Sequence, residues 1–346
     1  MNMTDELLQS EEWMRFQEAA GRRVVRLCGK DWSANGVVHS LPVAGEYLYV
    51  PRGPRVESTK PKIQIPNETQ NPEHKTRIGP VMEALRAKAK ELNVGWIRIE
   101  PETEDVLSEI REAVKGVKIT KAPHDMQPRE TFVVDLALAE EELLAAMKPK
   151  ARYNIGVAKK RGVNVVMSSD AKYVEAFIRL VMGTADRKGI VPHPKGYYEA
   201  MCASLLDENG KIFAAEKDGE IIAANVIVFH GNTATYLHGG SDEAFRADMA
   251  PFLLQWEAMR EAKRHGCSRY DFGGVSMAEL EAGTGKWLGI TRFKTGFSPA
   301  TSATEFPGAY DVVLSPVRYV TYRFFQESRI GIARISKRLK MKSEKI

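Results

Sequence analysis

A helix-plus-strand unit occurs twice in the chain, as PVMEALRAKAKELNVGWIRIEP from Pro80 and as PFLLQWEAMREAKRHGCSRYDFGG from Pro251. In each copy a proline opens an apolar-periodic helix, a glycine follows fifteen residues later (Gly95, Gly266), and a strand carries a carboxylate twenty residues after the proline (Glu100, Asp271). A tyrosine-bearing segment that ends in a loop precedes each copy, EYLYVPRGPRV from Glu46 and TATYLHGGSDE from Thr233; the first copy adds a polar insertion before its helix. One α/β module is thus written twice, and two modules in tandem would leave a cleft between them. A chain of 346 residues also exceeds what one hydrophobic core usually supports. The expected division is residues 1–138 with 306–346 as the first domain and 139–305 as the second. The helix after Pro316 would return to the first domain through Val320, Tyr322, Phe324 and Phe325.

Hydrophobic and charged fractions of 43% and 27% are those of a soluble globular protein, and no apolar run approaches the length of a spanning helix. The N-terminus, MNMTDELLQSEEWMRF, is acidic and amphipathic where a signal peptide is basic and then apolar, which predicts a cytoplasmic protein. Three scattered cysteines (Cys28, Cys202, Cys267) argue against a disulfide framework and against zinc.

The net charge of +5 is unevenly spread. The tail ARISKRLKMKSEKI holds Arg334, Lys337 and Arg338 among its basic residues, and MKPKARYNIGVAKKRG places Lys148, Lys150 and Arg152 at a helix start. A charge run by itself usually marks a solvated helix face. Two such clusters point to phosphates, whether of nucleic acid, nucleotide or anionic lipid.

Periodicity predicts a first helix over 11–20, strands over 24–28 and 43–50, an irregular insertion over 51–80, and a helix in LSEIREAVKGV. TFVVDLAL reads as a strand, LAEEELLAAM as a helix start, and 170–186 as a long helix. KIFAAEKDGEIIAANVIVFH reads as a hairpin turning at Asp218-Gly219, since Asp-Gly accepts the positive φ values of a tight turn. TATYLHGG, YDFGG and ITRFKTGF are expected to continue the second domain's strands. Several chemistries are excluded. No Gly-x-Gly-x-x-Gly follows a strand, Trp287 stands where a P-loop needs Ser or Thr, the seven histidines form no ligand-spaced pair, and no Gly-x-Ser-x-Gly elbow is present.

LLQSEEWMRFQEAAG, EYLYVPRGP, IRIEP, MQPRETFVVDL, MKPKARYNIGVAKKRGV, LHGG, LLQWEAMREAKRHGCSRYDFGG and ITRFKTGF occur in that order over nearly the whole chain. Together they resemble the Fem family of aminoacyl-tRNA-dependent peptidyltransferases. The resemblance implies two tandem domains of the acetyltransferase-like (GNAT) type, in agreement with the duplication. It also implies transfer of an amino acid from aminoacyl-tRNA to a side-chain amine on the stem peptide of a peptidoglycan precursor, either lipid II or UDP-MurNAc-pentapeptide, without metal or cofactor. Nothing between Met147 and Lys211 is long enough for the helical arm of some members, so the chain resembles the compact FemX type. In that type a lysine after the first helix's tryptophan contacts the nucleotide diphosphate; Gln17 stands there, which disfavours a soluble UDP-linked acceptor. By position, Arg187 matches the substrate-phosphate arginine, Tyr236 and Phe293 match substrate contacts, and Lys294 the catalytic lysine, while Glu100 replaces a usual aspartate. A monomer is expected, with the basic tail suited to peripheral contact at the inner face of a membrane.

The chemistry agrees with those residue types. An aminoacyl ester is already activated, so aminolysis needs a deprotonated amine held against the carbonyl and a charge for the oxyanion, and no enzyme nucleophile. Lys294 would supply that charge and Glu100 would accept the proton. Asp271 reads more simply as an ion-pair partner of Arg269 or Arg292, and Trp256, at helical spacing with Phe252 and Met259, as core. Two further function classes stay open: an acyl or aminoacyl transferase of the same scaffold acting on a peptide or small metabolite outside cell-wall synthesis, and a non-catalytic RNA or membrane-surface binder. The first, if it used acyl-CoA, would need a pyrophosphate-cradling Arg/Gln-x-x-Gly-x-Gly/Ala turn, which the sequence lacks.

Overall fold

The computed structural model describes residues 6–56, 78–206 and 209–326. Arg334, Lys337, Arg338 and most of the polar insertion after Pro51 lie outside them. The chain divides into two compact units, residues 1–21 with 128–305 and residues 22–127 with 306–346. Two segments differ from the sequence-based division. The N-terminal helix α1 (Glu11–Ala19) and strand β7 (Glu130–Asp135) belong with the second module. The reason for β7 is pairing: it lies antiparallel to β12 (Arg269–Gly274), Val133 against Asp271 and Asp135 against Arg269. For α1 it is packing, as Phe16, buried among Phe177, Tyr198 and Met201, meets the Tyr197 ring edge-on at 4.9 Å.

Residues 22–127 with 306–346 form one seven-stranded sheet. Strands β1 (Arg23–Cys28), β2 (Trp32–Leu41) and β3 (Gly45–Val50) run as an antiparallel meander, and β4 (Arg55–Val56) pairs with β2. Helix α2 (Ile78–Glu91) then crosses over to β5 (Trp96–Ile99), which lies parallel to β3. Helix α3 (Glu104–Ala113), capped by the Thr103 hydroxyl on Val106 N–H, precedes β6 (Ile119–Lys121), and β14 (Tyr310–Val313) inserts between β5 and β6. Sequence periodicity missed β2, whose WSANGVVHSL mixes Ser, Asn and Gly with apolar residues. Its buried positions Ala34, Gly36 and Val38 nevertheless face the core beneath α2.

Residues 316–326 are helical and pack on this sheet, and of the four expected residues only Tyr322 is buried there. Tyr319 and Tyr322 are the buried pair, with Trp96 stacked against Tyr322 at 4.8 Å; Val320, Phe324 and Phe325 are 66%, 66% and 45% exposed. Tyr319 and Tyr322, three apart, share one helix face, and the other three residues point elsewhere.

The second unit repeats the plan. Helices α4 (Glu140–Ala146) and α5 (Pro149–Lys160) lead into β8 (Asn164–Ser168), α6 (Ala171–Lys188) and α7 (Lys195–Leu205). The hairpin of β9 (Gly210–Lys217) and β10 (Glu220–His230) turns as expected, with Asp218 at φ +50° and Gly219 at φ +84°. Strand β11 (Thr233–Ser241) is followed by α8 (Ala250–Arg264) and then β12, which returns parallel to β11. Strand order is β13 (Thr304–Glu305), β7, β12, β11, β10, β9, β8. One sheet face is covered by α5 and α8 around Trp256, Met259 and Phe272, the other by α6 and α7.

The duplication is therefore physical. In each unit a helix opened at its proline links two parallel neighbours, and parallel pairing spans three residues: 48–50 with 97–99, and 233–235 with 269–271. Both carboxylates mark the place where pairing stops, Asp271 in the last pair and Glu100 one residue beyond it.

Candidate active site

The site is built where β11 and β12 part. After Thr235 and Asp271 the strands no longer pair, and each carries a bulge there. In β11 the register against β10 shifts so that Leu237 is the extra residue, and in β12 the register against β7 shifts between Asp271 and Gly274. Bulges bend a strand and re-aim its side chains, which opens a gap in the middle of the sheet. Gly273, at φ +72°, occupies the bulge as few other residues can, and the Asp271 carboxylate accepts its N–H at 2.7 Å. Asp271 thus shapes the bulge.

Lys294 fills the gap. It lies beyond the short α9 (Met277–Ala282), on α10 (Leu288–Thr295), where the alternating sequence ITRFKTGF suggests a strand. Burial of Thr291, Lys294 and Thr295, spaced at i, i+3 and i+4, is the helical signature that alternation concealed. The lysine is 7% exposed and donates to the Gly274 carbonyl at 2.7 Å, and its Nζ stands 5.9 Å from the centre of the Tyr236 ring. Burial pulls its pKa down to about 8, opposed by the negative charge of Asp271. Tyr236 is pushed up to about 12 by burial and remains a neutral hydroxyl.

Beside this gap is a cavity of about 1080 Å³ at the start of α8. Six cations, Lys148, Lys150, Arg187, Lys188, Arg246 and Arg292, face two carboxylates, Asp242 and Glu243, in its lining. The N-terminal end of α8 at Ala250 adds a partial positive charge. Phe293 and Phe252, edge-on at 4.9 Å, form the apolar part of the wall. Lys294 and Tyr236 stand outside the lining, with the lysine one residue behind Phe293. The arrangement suits a ligand that carries phosphate and an apolar or sugar portion.

Of the residues singled out from the sequence, Lys148, Lys150, Arg187 and Phe293 meet at the cavity, and Lys294 and Tyr236 meet at the gap. Arg187 ends α6, one-third exposed; it donates to Ser241 O at 2.9 Å and stands 3.6 Å from Glu243. Arg152 instead donates to the carbonyls of Ala145 and Met147, tying α4 to α5. Gln17 is buried within α1 at 1% exposure. Glu100 belongs to the other unit, where its Oε1 accepts from Met126 N–H at 3.1 Å and Gln127 N–H at 2.8 Å and its Oε2 from the Tyr49 hydroxyl at 2.7 Å. Sequence reasoning did not find Lys188, Arg246 or Arg292 as cavity residues, since each sits in an ordinary amphipathic run. Among the described residues no cluster of His, Cys, Asp or Glu could hold a metal ion, and no helix is long and apolar enough to cross a membrane.

Comparison with known proteins agrees with this architecture. The crystal structure of FemX superposes with a TM-score of 0.76 at 19% identity, over 92% of this chain and 94% of that one. The C-terminal domain of a putative lysylphosphatidylglycerol synthetase from Agrobacterium fabrum gives 0.57 at 14% identity. In sequence, a UDP-N-acetylmuramoylpentapeptide-lysine N(6)-alanyltransferase of Weissella viridescens is 26% identical over 196 residues, which span 56% of each protein. A lipid II:glycine glycyltransferase of Staphylococcus aureus (strain MRSA252) is 21% identical over 92% of this chain and 90% of that protein. A sequence model of the FemAB family matches residues 105–216 and 204–327, which together cover both sides of the strand gap, the basic cavity and Lys294. The chain belongs to the FemAB family, and its two similar α/β units, announced by the duplicated sequence, have the fold of FemX.

Proposed function

We propose that the protein is an aminoacyltransferase that moves an amino acid from aminoacyl-tRNA to a side-chain amine on the stem peptide of a peptidoglycan precursor. The observation that carries this reading is the buried Lys294 at the strand gap, beside a phosphate-seeking cavity. A lysine with a pKa of about 8 is mostly charged at neutral pH and can stabilise an oxyanion formed in a site that excludes water. The ester donor brings its own activation, so no enzyme nucleophile is called for. The relatives named above are both transferases of a single small amino acid to peptidoglycan precursors, by their names. Incubation with a mixed pool of charged tRNA and both precursor types, followed by mass measurement of the products, tests it. Transfer from acetyl-CoA but not from charged tRNA overturns it.

Arg187 is assigned to the acceptor's phosphate, since its planar fork binds phosphate bidentately and the cavity gathers further cations around it. Arg187→Ala is expected to raise the acceptor KM tenfold or so, with kcat changed far less. An unchanged acceptor KM removes Arg187 from that role.

A lipid-linked acceptor is favoured over a nucleotide-linked one by the helix over 316–326. Val317, Val320 and Phe324 are 78%, 66% and 66% exposed along one stripe, and the sequence that follows carries Arg329, Arg334, Lys337, Arg338, Lys340, Lys342 and Lys345. An apolar stripe joined to basic residues suits the surface of an anionic bilayer. Val320→Asp with Phe324→Asp is expected to reduce sedimentation with phosphatidylglycerol vesicles at least tenfold while leaving turnover of a soluble UDP-linked precursor unchanged. Equal sedimentation of variant and parent removes the stripe from membrane contact.

A further inference from the structure

Next to the Lys294 gap the sheet holds a polar side chain with no assigned purpose. Asn225, in the middle of β10, is 4% exposed, and its amide nitrogen is buried without a hydrogen-bond partner. It pairs with Phe213 of β9 on one side and Gly239 of β11 on the other. Ala223 and Ile227, two residues to either side, sit in the core beneath α5 and α8, so Asn225 points to that face, among apolar neighbours. An orphan donor there is costly, and few native proteins keep one without a use.

Three local features converge on this carboxamide. Gly239 lies directly opposite it in the ladder, and a Cβ at Gly239 would collide with both the Asn225 Oδ1 and the Tyr236 hydroxyl. Tyr236 and Gly239 are three residues apart and would face opposite sides of a regular strand. The extra residue at Leu237 puts them on the same side. The bulge therefore swings the Tyr236 hydroxyl toward Asn225, and the missing side chain at 239 makes room for both. Yet the hydroxyl and the carboxamide make no hydrogen bond to each other, and no other protein group of the described residues bonds the hydroxyl. Two adjacent polar groups are held ready with bonds to spare, beside the ring over which Lys294 Nζ stands at 5.9 Å.

We infer that Asn225 and Tyr236 form a polar ledge that receives the carbonyl oxygen of the aminoacyl ester: a half-turn of the carboxamide about Cβ–Cγ brings its partnerless NH2 to the place beside Tyr236 that Oδ1 holds, and that NH2 then donates to the ester oxygen as it gains charge. This rests on the transferase reading above. In the step itself the acceptor amine forms the new C–N bond, the oxygen on the ledge carries the charge of the tetrahedral intermediate, and the C–O bond to the tRNA ribose breaks as that ribose oxygen takes up the proton the amine gives off, restoring the ribose hydroxyl. Asn225 stays neutral and changes no bond. An amide is suited to this place because it donates without a charge that burial would penalise, leaving the single positive charge to Lys294.

Because the amide nitrogen has no partner in the protein, its removal separates function from stability. Asn225→Leu keeps the shape with no donor, and Asn225→Ala only removes atoms. Both are expected to melt at or above the parental temperature while kcat and kcat/KM for transfer from charged tRNA fall together by about a hundredfold, the range seen on deleting one oxyanion donor. Asn225→Asp, which faces the developing oxyanion with a charge of the same sign, is expected to fall further. Transfer within twofold of the parent in Asn225→Ala overturns the inference, as does a loss of activity matched by a loss of melting temperature in both apolar variants. No transfer by the parent in the same assay overturns the transferase reading beneath it.

Discussion

Lys294→Met is expected to lower kcat and kcat/KM for transfer together by a hundredfold or more, and to leave the protein at least as stable as the parent. Both effects come from one environment. The Nζ is held by the Gly274 carbonyl in a site with 7% exposure, so its charge is available to an oxyanion and poorly hydrated in the meantime. Burial draws the pKa from 10.5 to about 8, which corresponds to roughly 3 kcal/mol of preference for the neutral form in the folded state. The sign follows from proton counting. Between pH 8 and 10.5 the unfolded chain holds this proton and the folded chain does not, so stability rises with pH across that window; below it both states are protonated and the full penalty applies. The difference in unfolding free energy between Lys294→Met and the parent should therefore be largest near neutral pH and shrink toward pH 10.5. Activity should run the other way, with an oxyanion-stabilising charge lost as pH rises through about 8. A rate limb that ascends through that pH and vanishes in Lys294→Met would mark the lysine as a base instead. Near-normal turnover in the variant would remove it from the chemistry while leaving the family membership intact.

The parts of this fold that were legible in the sequence are those set by local backbone chemistry or by repetition. Asp218-Gly219 announces its turn because few residue pairs tolerate two positive φ values in succession. The two prolines, two glycines and two carboxylates announce their modules because a crossover helix of fixed length must deliver the next strand to the same register. What was hidden depends on neighbours that sequence does not name. β2 is held in the sheet by β1 and β3 on either side, which lets it carry Ser33, Asn35 and Gly36. ITRFKTGF alternates like a strand, but a strand has no means to bury Thr291, Lys294 and Thr295 on one side; a helix does. At the site, Lys294 and Tyr236 came from the family resemblance. The glycine pairs 239–240 and 273–274 were the physical signal available, since glycine inside a strand marks a bulge or a close approach. Of the cations that line the cavity, Lys188, Arg246 and Arg292 were indistinguishable from any solvated surface run until the fold brought them together with Lys148, Lys150 and Arg187.

Asp311→Ala is expected to destabilise residues 22–127 with 306–346 by about 3–5 kcal/mol, the range for breaking a buried ion pair. Arg98 and Asp311, 1% and 0% exposed, face each other from adjacent strands β5 and β14 with Nε to Oδ1 at 2.8 Å and Nη2 to Oδ2 at 2.9 Å. The Tyr319 hydroxyl donates to Asp311 Oδ2 at 2.9 Å, and Arg98 Nη2 also donates to the Tyr322 hydroxyl at 3.0 Å. These two tyrosines are the buried residues of the helix over 316–326, so the same pair that stitches the sheet also holds the helix against it. Loss of the carboxylate leaves a guanidinium in a core of Tyr47, Trp96 and Tyr322 without a counter-charge, and a burial cost of that kind is relieved by local opening. Hydrogen exchange should therefore quicken first at 316–326 and only then in β5 and β14. Replacing both partners, Arg98→Met with Asp311→Leu, should recover most of the loss, because the cost lies in the unpaired charge more than in the missing bonds. A double variant as unstable as Asp311→Ala would show instead that the hydrogen bonds to Tyr319 and Tyr322 hold the helix in place.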